Sequence, residues 1–84
     1  MEKTNQVTEV TDISLAAFLL YRGATITPRT MPNGKIAFRM EAENLDSLTD
    51  EYFNNPVVPL LDYLQYFKRV KSLIYNMGGI RQRD

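Results

Sequence analysis

Neither cysteine nor histidine occurs in this chain of 84 residues. Without cysteine there are no disulfides and no thiolate nucleophile, and without histidine the usual general base and the imidazole metal ligand are missing. Zinc, which prefers nitrogen and sulfur ligands, would have to be held by carboxylates alone. The missing cysteine also fits a reducing compartment, so a cytoplasmic location is expected. No apolar run approaches the ~20 residues of a membrane span. The longest, around residues 13–21, follows Glu9 and Asp12, where a secretory leader would carry positive charge. That run therefore belongs to the fold, and no membrane partner is expected. Net charge is lacking as well. It is formally zero, with a pI near 6.2, against the basic balance usual in nucleic-acid-binding domains. A phosphate-binding glycine loop is also absent, because Gly78-Gly79 reads as a helix stop.

The residues that are present form one pattern of elements. Residues 1–11 are polar, with only Val7 and Val10 apolar, and read as a loose N-terminal arm. Thr11 or Asp12 can cap a helix over about 13–22, which Gly23 stops. At about 100° per residue this helix is apolar nearly all round. It reads as a central helix, covered by its own domain on one side and by a second subunit on the other. Residues 24–31 and 35–41 flank Pro32-Asn33-Gly34, a hairpin signal. Ile36, Phe38 and Met40 alternate with polar positions, while Pro28 puts the first strand at a sheet edge or breaks it there.

A short helix is predicted over 44–55, capped by Asn44, Asp46 or Ser47, with Ser47 and Asp50 as a capping box. Its buried face is Leu45, Leu48, Tyr52 and Phe53. After the rigid Pro56-Val57-Val58-Pro59 segment, a last helix runs to about Met77. Its apolar stripe is Leu60, Tyr63, Leu64, Phe67, Val70, Ile74 and Met77, with Lys71 projecting within it. The predicted architecture is α+β, in the order α-β-β-α-α, with a two-stranded antiparallel hairpin packed on helices. One domain spans 12–77 and a short basic tail spans 78–84.

The capped LAAFLLYRG helix, the hairpin strand with IAF, the helix ending EYFNN and the final helix with FKRVKSL together resemble a small bacterial and phage domain family of unknown function. The likeness covers about residues 12–75 and is to the stand-alone members, which often sit among accessory genes. It implies the same α+β fold and supplies no catalytic residue.

The remaining side chains argue against an enzyme. Of the three serines, Ser47 reads as a cap, and Ser72 diverges from its neighbour Lys71 on a helix, so the two form no dyad. Asp46, Asp50 and Glu51 read as a solvated helix start, and no metal and no cofactor are expected. Charge, however, is sorted in blocks. Arg22, Arg29, Lys35 and Arg39 come without acids; six acids from Glu41 to Asp62 follow without a base; then come Lys68, Arg69, Lys71, Arg81 and Arg83. These blocks either neutralise one another within the chain, form a basic patch for phosphate-bearing ligands, or meet across subunits.

Small domains gain stability from disulfides, metals or association. With the first two removed, a homo-oligomer is expected, with Leu15, Phe18, Leu19 and Tyr66 at its interface. Arg22, Arg39 and Lys71, beside Tyr21 or Tyr75, are the candidate ligand- or partner-binding residues. The functional expectation is a small non-enzymatic cytoplasmic interaction protein of bacterial or phage accessory type, an inhibitor for instance. It would occupy a protein partner or sequester a small anionic ligand. The alternative is a nucleic-acid-binding domain using the basic hairpin and C-terminal helix.

Overall fold

The structure is a computed structural model and describes residues 5–78. Its elements are β1 (Gln6–Val10), α1 (Ile13–Tyr21), β2 (Thr25–Thr30), β3 (Ile36–Ala42), α2 (Leu45–Phe53) and α3 (Leu60–Gly78). The fold is α+β as expected, but the sheet has three strands in the order β1-β3-β2. The predicted tail from residue 79 onward lies outside the described residues.

The third strand corrects the reading of residues 1–11 as an arm. β1 pairs antiparallel with β3, from Gln6 opposite Ala42 to Val10 opposite Phe38. A hairpin alone would leave one side of β3 with unpaired backbone groups above a buried face, which is costly. The β-branched Val7, Thr8 and Val10 suit a pleated surface. Val7 and Val10 are three residues apart, so they face opposite sides of the sheet. Val10 joins the core, and Val7 stays 47% exposed. β1 and β2 thus run parallel on either side of the antiparallel β3, with α1 as their crossover, a split β-α-β arrangement.

Pro28 lies in β2, an outer strand, opposite Phe38, where its missing amide proton costs no ladder bond inside the sheet. In the turn before β3, Gly34 takes φ 89°. The Asn33 side chain accepts from the Lys35 amide at 3.0 Å. Asn33 itself keeps an ordinary φ, so the turn relies on the glycine alone.

α1 starts where expected. Asp12 accepts from the Ser14 amide at 2.9 Å. At its end Gly23 takes φ 103°, while the Ala24 amide donates to Leu19 and the Gly23 amide to Leu20, each at 3.0 Å. This is the paired closure that glycine permits after a helix. Ala16, Ala17, Phe18 and Leu19 are all at most 1% exposed. They form one core cluster with Phe38 and Met40 of β3, Leu45 and Leu48 of α2, and Val70 of α3. The domain itself thus buries the middle of α1, while Ile13, Leu15, Leu20 and Tyr21 stay partly exposed. Phe18 and Leu19, expected at an interface, are core residues.

α2 is capped differently from the prediction. Asn44 occupies the N-cap position but makes no side-chain cap bond. Ser47 lies inside the helix, so the Ser47–Asp50 capping box does not form. Gln6 of β1 does that work instead. Its amide oxygen accepts from the Asp46 backbone at 2.7 Å, and its amide nitrogen donates to the Asp46 carboxylate at 3.1 Å.

α3 is rotated relative to the expected stripe. Tyr63, Tyr66, Phe67, Val70, Leu73 and Ile74 pack inward, whereas Leu60 is 65% exposed and Lys71 faces solvent. The side chain of Met77, the last member of that stripe, lies outside the described set.

Candidate functional site

The three cations expected to converge do not. The Arg22 guanidinium meets both carboxylate oxygens of Glu51 at 2.5 Å. Arg39 points to the sheet face opposite Phe38 and Met40, between Glu9 and Thr27 in the register. The helices cover the other face, so the sheet stands between Arg39 and Lys71 on α3. Arg29 is also on the open face, where it pairs with Glu9 at 2.9 Å. Glu9 and Arg29 belong to the two outer strands and so reach across β3. Ala37, beside Arg29 in the register, is fully buried and small enough to allow this. The hairpin cations and the α3 cations consequently occupy opposite sides of the molecule and form no single basic surface.

The two tyrosines of that proposal separate as well. Tyr21 packs its ring on Phe18, with centroids 6.3 Å apart, and edge-on against Tyr66 at 5.7 Å. Tyr66, also expected at an interface, is half-buried there, and the Arg69 guanidinium lies over its ring at 5.1 Å. Tyr75 is 75% exposed on α3.

What the structure does assemble is a polar junction at the start of α1. The Ser14 hydroxyl contacts the Asp12 carboxylate and the Tyr52 hydroxyl, both at 2.8 Å. The Tyr63 hydroxyl donates to the Ser14 carbonyl at 2.8 Å. These bonds tie α2 and α3 to α1 through groups that would otherwise be costly to bury. Burial raises the Tyr63 pKa above its ordinary value, with Tyr52 and then Asp12 acting in the same direction. A phenol that holds its proton more tightly when folded leaves stability intact below the ordinary tyrosine value, about 10. That stability is lost as pH rises through the raised value. Tyr63→Phe should cost about 1 kcal/mol at neutral pH and flatten the alkaline loss. Urea midpoints between neutral pH and pH 11 measure both.

Two open grooves lie on either side of this junction. The first, about 630 Å³, runs between the end of β1 and α2; Val10, Leu15 and Leu45 give it an apolar lining, with carboxylates from Asp12, Asp46 and Asp50. Leu15, the remaining expected interface residue, is therefore partly exposed in a groove. The second, about 490 Å³, is lined by Phe18, Tyr52, Pro56, Val58 and Tyr63. Phe53 borders both grooves and is 71% exposed, which corrects its placement on a buried face. Val57, Leu60 and Leu61, next along the chain, are exposed too, with Val57 99% accessible. Asn55, at φ 58°, turns the chain in the left-handed conformation that asparagine tolerates. Pro56 and Pro59 then hold Val57 outward.

This surface has a signal in the sequence. Residues 53–61, FNNPVVPLL, carry no charge between Glu51 and Asp62. Phe53 extends the Leu45, Leu48 and Tyr52 face of one helix and Leu60 starts the stripe of the next, which invites their assignment to the core.

A split β-α-β sheet with three helices on one face and open grooves at one edge defines a small α+β domain. By sequence the chain belongs to a family described as a domain of unknown function (DUF5659), whose model matches residues 5–76. The match takes in β1, the strand that the sequence pattern alone leaves as an arm. No curated protein and no solved structure matches the chain.

Proposed function

We propose that this is a non-enzymatic interaction protein that occupies a protein partner through the surface formed by Phe53, Val57, Leu60 and Leu61. The observation that carries this reading is the clustering of four large apolar side chains, 65–99% exposed, within nine consecutive uncharged residues. Scattered exposed apolar residues are ordinary, whereas a contiguous group beside a groove marks a contact surface. The partner matching it presents an uncharged apolar face, because charge is depleted at the centre of such contacts. A cytoplasmic setting and an accessory role in bacteria or phages belong to the same proposal. No helix among the described residues is long and apolar enough to cross a membrane.

The test is a photo-crosslinking residue at position 57, introduced in the native host. A discrete crosslinked protein is expected, and it should be lost in the Phe53→Ser/Leu61→Ser variant while the melting curve is unchanged. Crosslinks that persist in the double variant, or no captured protein at all, would overturn the reading.

A further inference from the structure

We infer that two copies of this chain associate by laying the outer face of α3 from one copy against α2 and the first groove of the other. The inference deepens the reading of the protein as an interaction module, naming a second copy as an occupant of that edge.

It rests on two helix faces with matched spacing and opposite charge. On α2, Asp46, Asp50 and Phe53 follow at i, i+4 and i+7 and share one side of the helix, the side that borders the first groove. On α3, Lys68, Lys71 and Tyr75 follow at i, i+3 and i+7 and are all exposed. In both helices an aromatic side chain, 71% and 75% exposed respectively, stands seven residues beyond the first charge. Seven residues of helix rise about 10.5 Å, so with the helices parallel one alignment satisfies all three positions. Lys68 then meets Asp46, Lys71 meets Asp50, and Tyr75 meets Phe53 over the groove floor of Leu15 and Leu45. Among the described residues neither lysine has an ionic partner, and the Asp46 carboxylate accepts from Gln6 alone. The groove, about 630 Å³, has room for a tyrosine ring.

Each copy carries both halves, so the contact closes as a two-fold pair using it twice, or as a ring. Asp46, Asp50, Lys68 and Lys71 would then be neutralised between copies, whereas Arg22 and Arg29 find their acids within the chain.

The test uses the full-length chain in analytical ultracentrifugation at low salt. The expected result is a concentration-dependent dimer or larger ring that loosens at least tenfold in 0.5 M NaCl, where screening is nearly complete over a few ångströms. Asp50→Lys and Lys71→Glu should each weaken association about tenfold. An equimolar mixture of the two should recover it, because the lysine introduced on α2 of one variant then faces the glutamate introduced on α3 of the other. Tyr75→Ser should weaken association without changing the melting temperature. A monomer up to millimolar concentration overturns the inference, as does an oligomer indifferent to both charge variants or a mixture that does not recover. An oligomer lost only in Phe53→Ser/Leu61→Ser would overturn it too, by placing the self-contact on residues 53–61 instead. Crosslinking of a foreign protein at position 57 is read separately, so a monomeric result leaves the proposed function standing.

Discussion

Replacing Phe18 with alanine is expected to cost about 3–5 kcal/mol, the usual penalty for emptying a buried aromatic site. Phe18 is 1% exposed. Its ring sits 5.7 Å from that of Tyr52 and 6.3 Å from that of Tyr21. These two tyrosines connect it to α2 and, through Tyr66, to α3. At roughly 0.05–0.15 kcal/mol per residue, a domain of 84 residues has about 4–13 kcal/mol of stability, so the loss takes a large share of what holds it together. Phe18→Asp should not fold at all, since it would bury an unpaired charge. Thermal melts by circular dichroism measure both. Were Phe18 an interface residue, the same substitutions would leave a folded monomer. A cooperative melt for Phe18→Asp close to that of the wild type would refute the core assignment.

Removal of residues 1–10 is the second large effect. An arm could be cut with little consequence. β1 instead supplies the hydrogen-bonded neighbour on one side of β3, the buried Val10, and the Gln6 contacts at the start of α2. Each loss alone is moderate: a helix cap is worth about 0.5–2 kcal/mol and burial of a valine about 1.5–3 kcal/mol. Together with an exposed ladder they exceed the margin of a small domain. The truncated chain should lose its cooperative urea transition. Gln6→Ala isolates the cap and should lower stability by about 1 kcal/mol while leaving the sheet intact. A truncated chain with an unchanged midpoint would show that β1 is dispensable.

Local chemistry explains which parts of this fold are legible in the sequence. The Asp12 cap, the Gly23 stop, the turn at Gly34 and the alternation of Phe38 and Met40 are written in residues close together along the chain. β1 is not legible, because its evidence is its partner. Gln6, Val7 and Val10 show neither alternation nor an apolar run, and only the open side of β3 explains their pairing. The α2 cap is hidden for the same reason, since its acceptor comes from a strand 40 residues away. At the site, reading by residue type finds the cations but not their neighbours. Glu51 takes Arg22, and the sheet separates Arg39 from Lys71. The groove edge escapes because Phe53 and Leu60 each fall on the apolar face of their own helix by residue type, yet both sit at helix ends beside the uncharged segment 56–59, where they stay exposed.

The split β-α-β order also constrains how the molecule comes into being on the ribosome. β2 and β3 close through a short turn, at little entropic cost. β1, made first, has nothing to pair with until β3 has been made, and the chain it must close is long. The strand earliest in chain order is thus among the last to find its place, and an outer strand joined late is a natural first point of opening. The nascent chain carries an unpaired strand of valine and polar residues until β3 emerges. Gln6 closes this interval when it reaches Asp46, joining the earliest strand to the helix that follows the finished sheet.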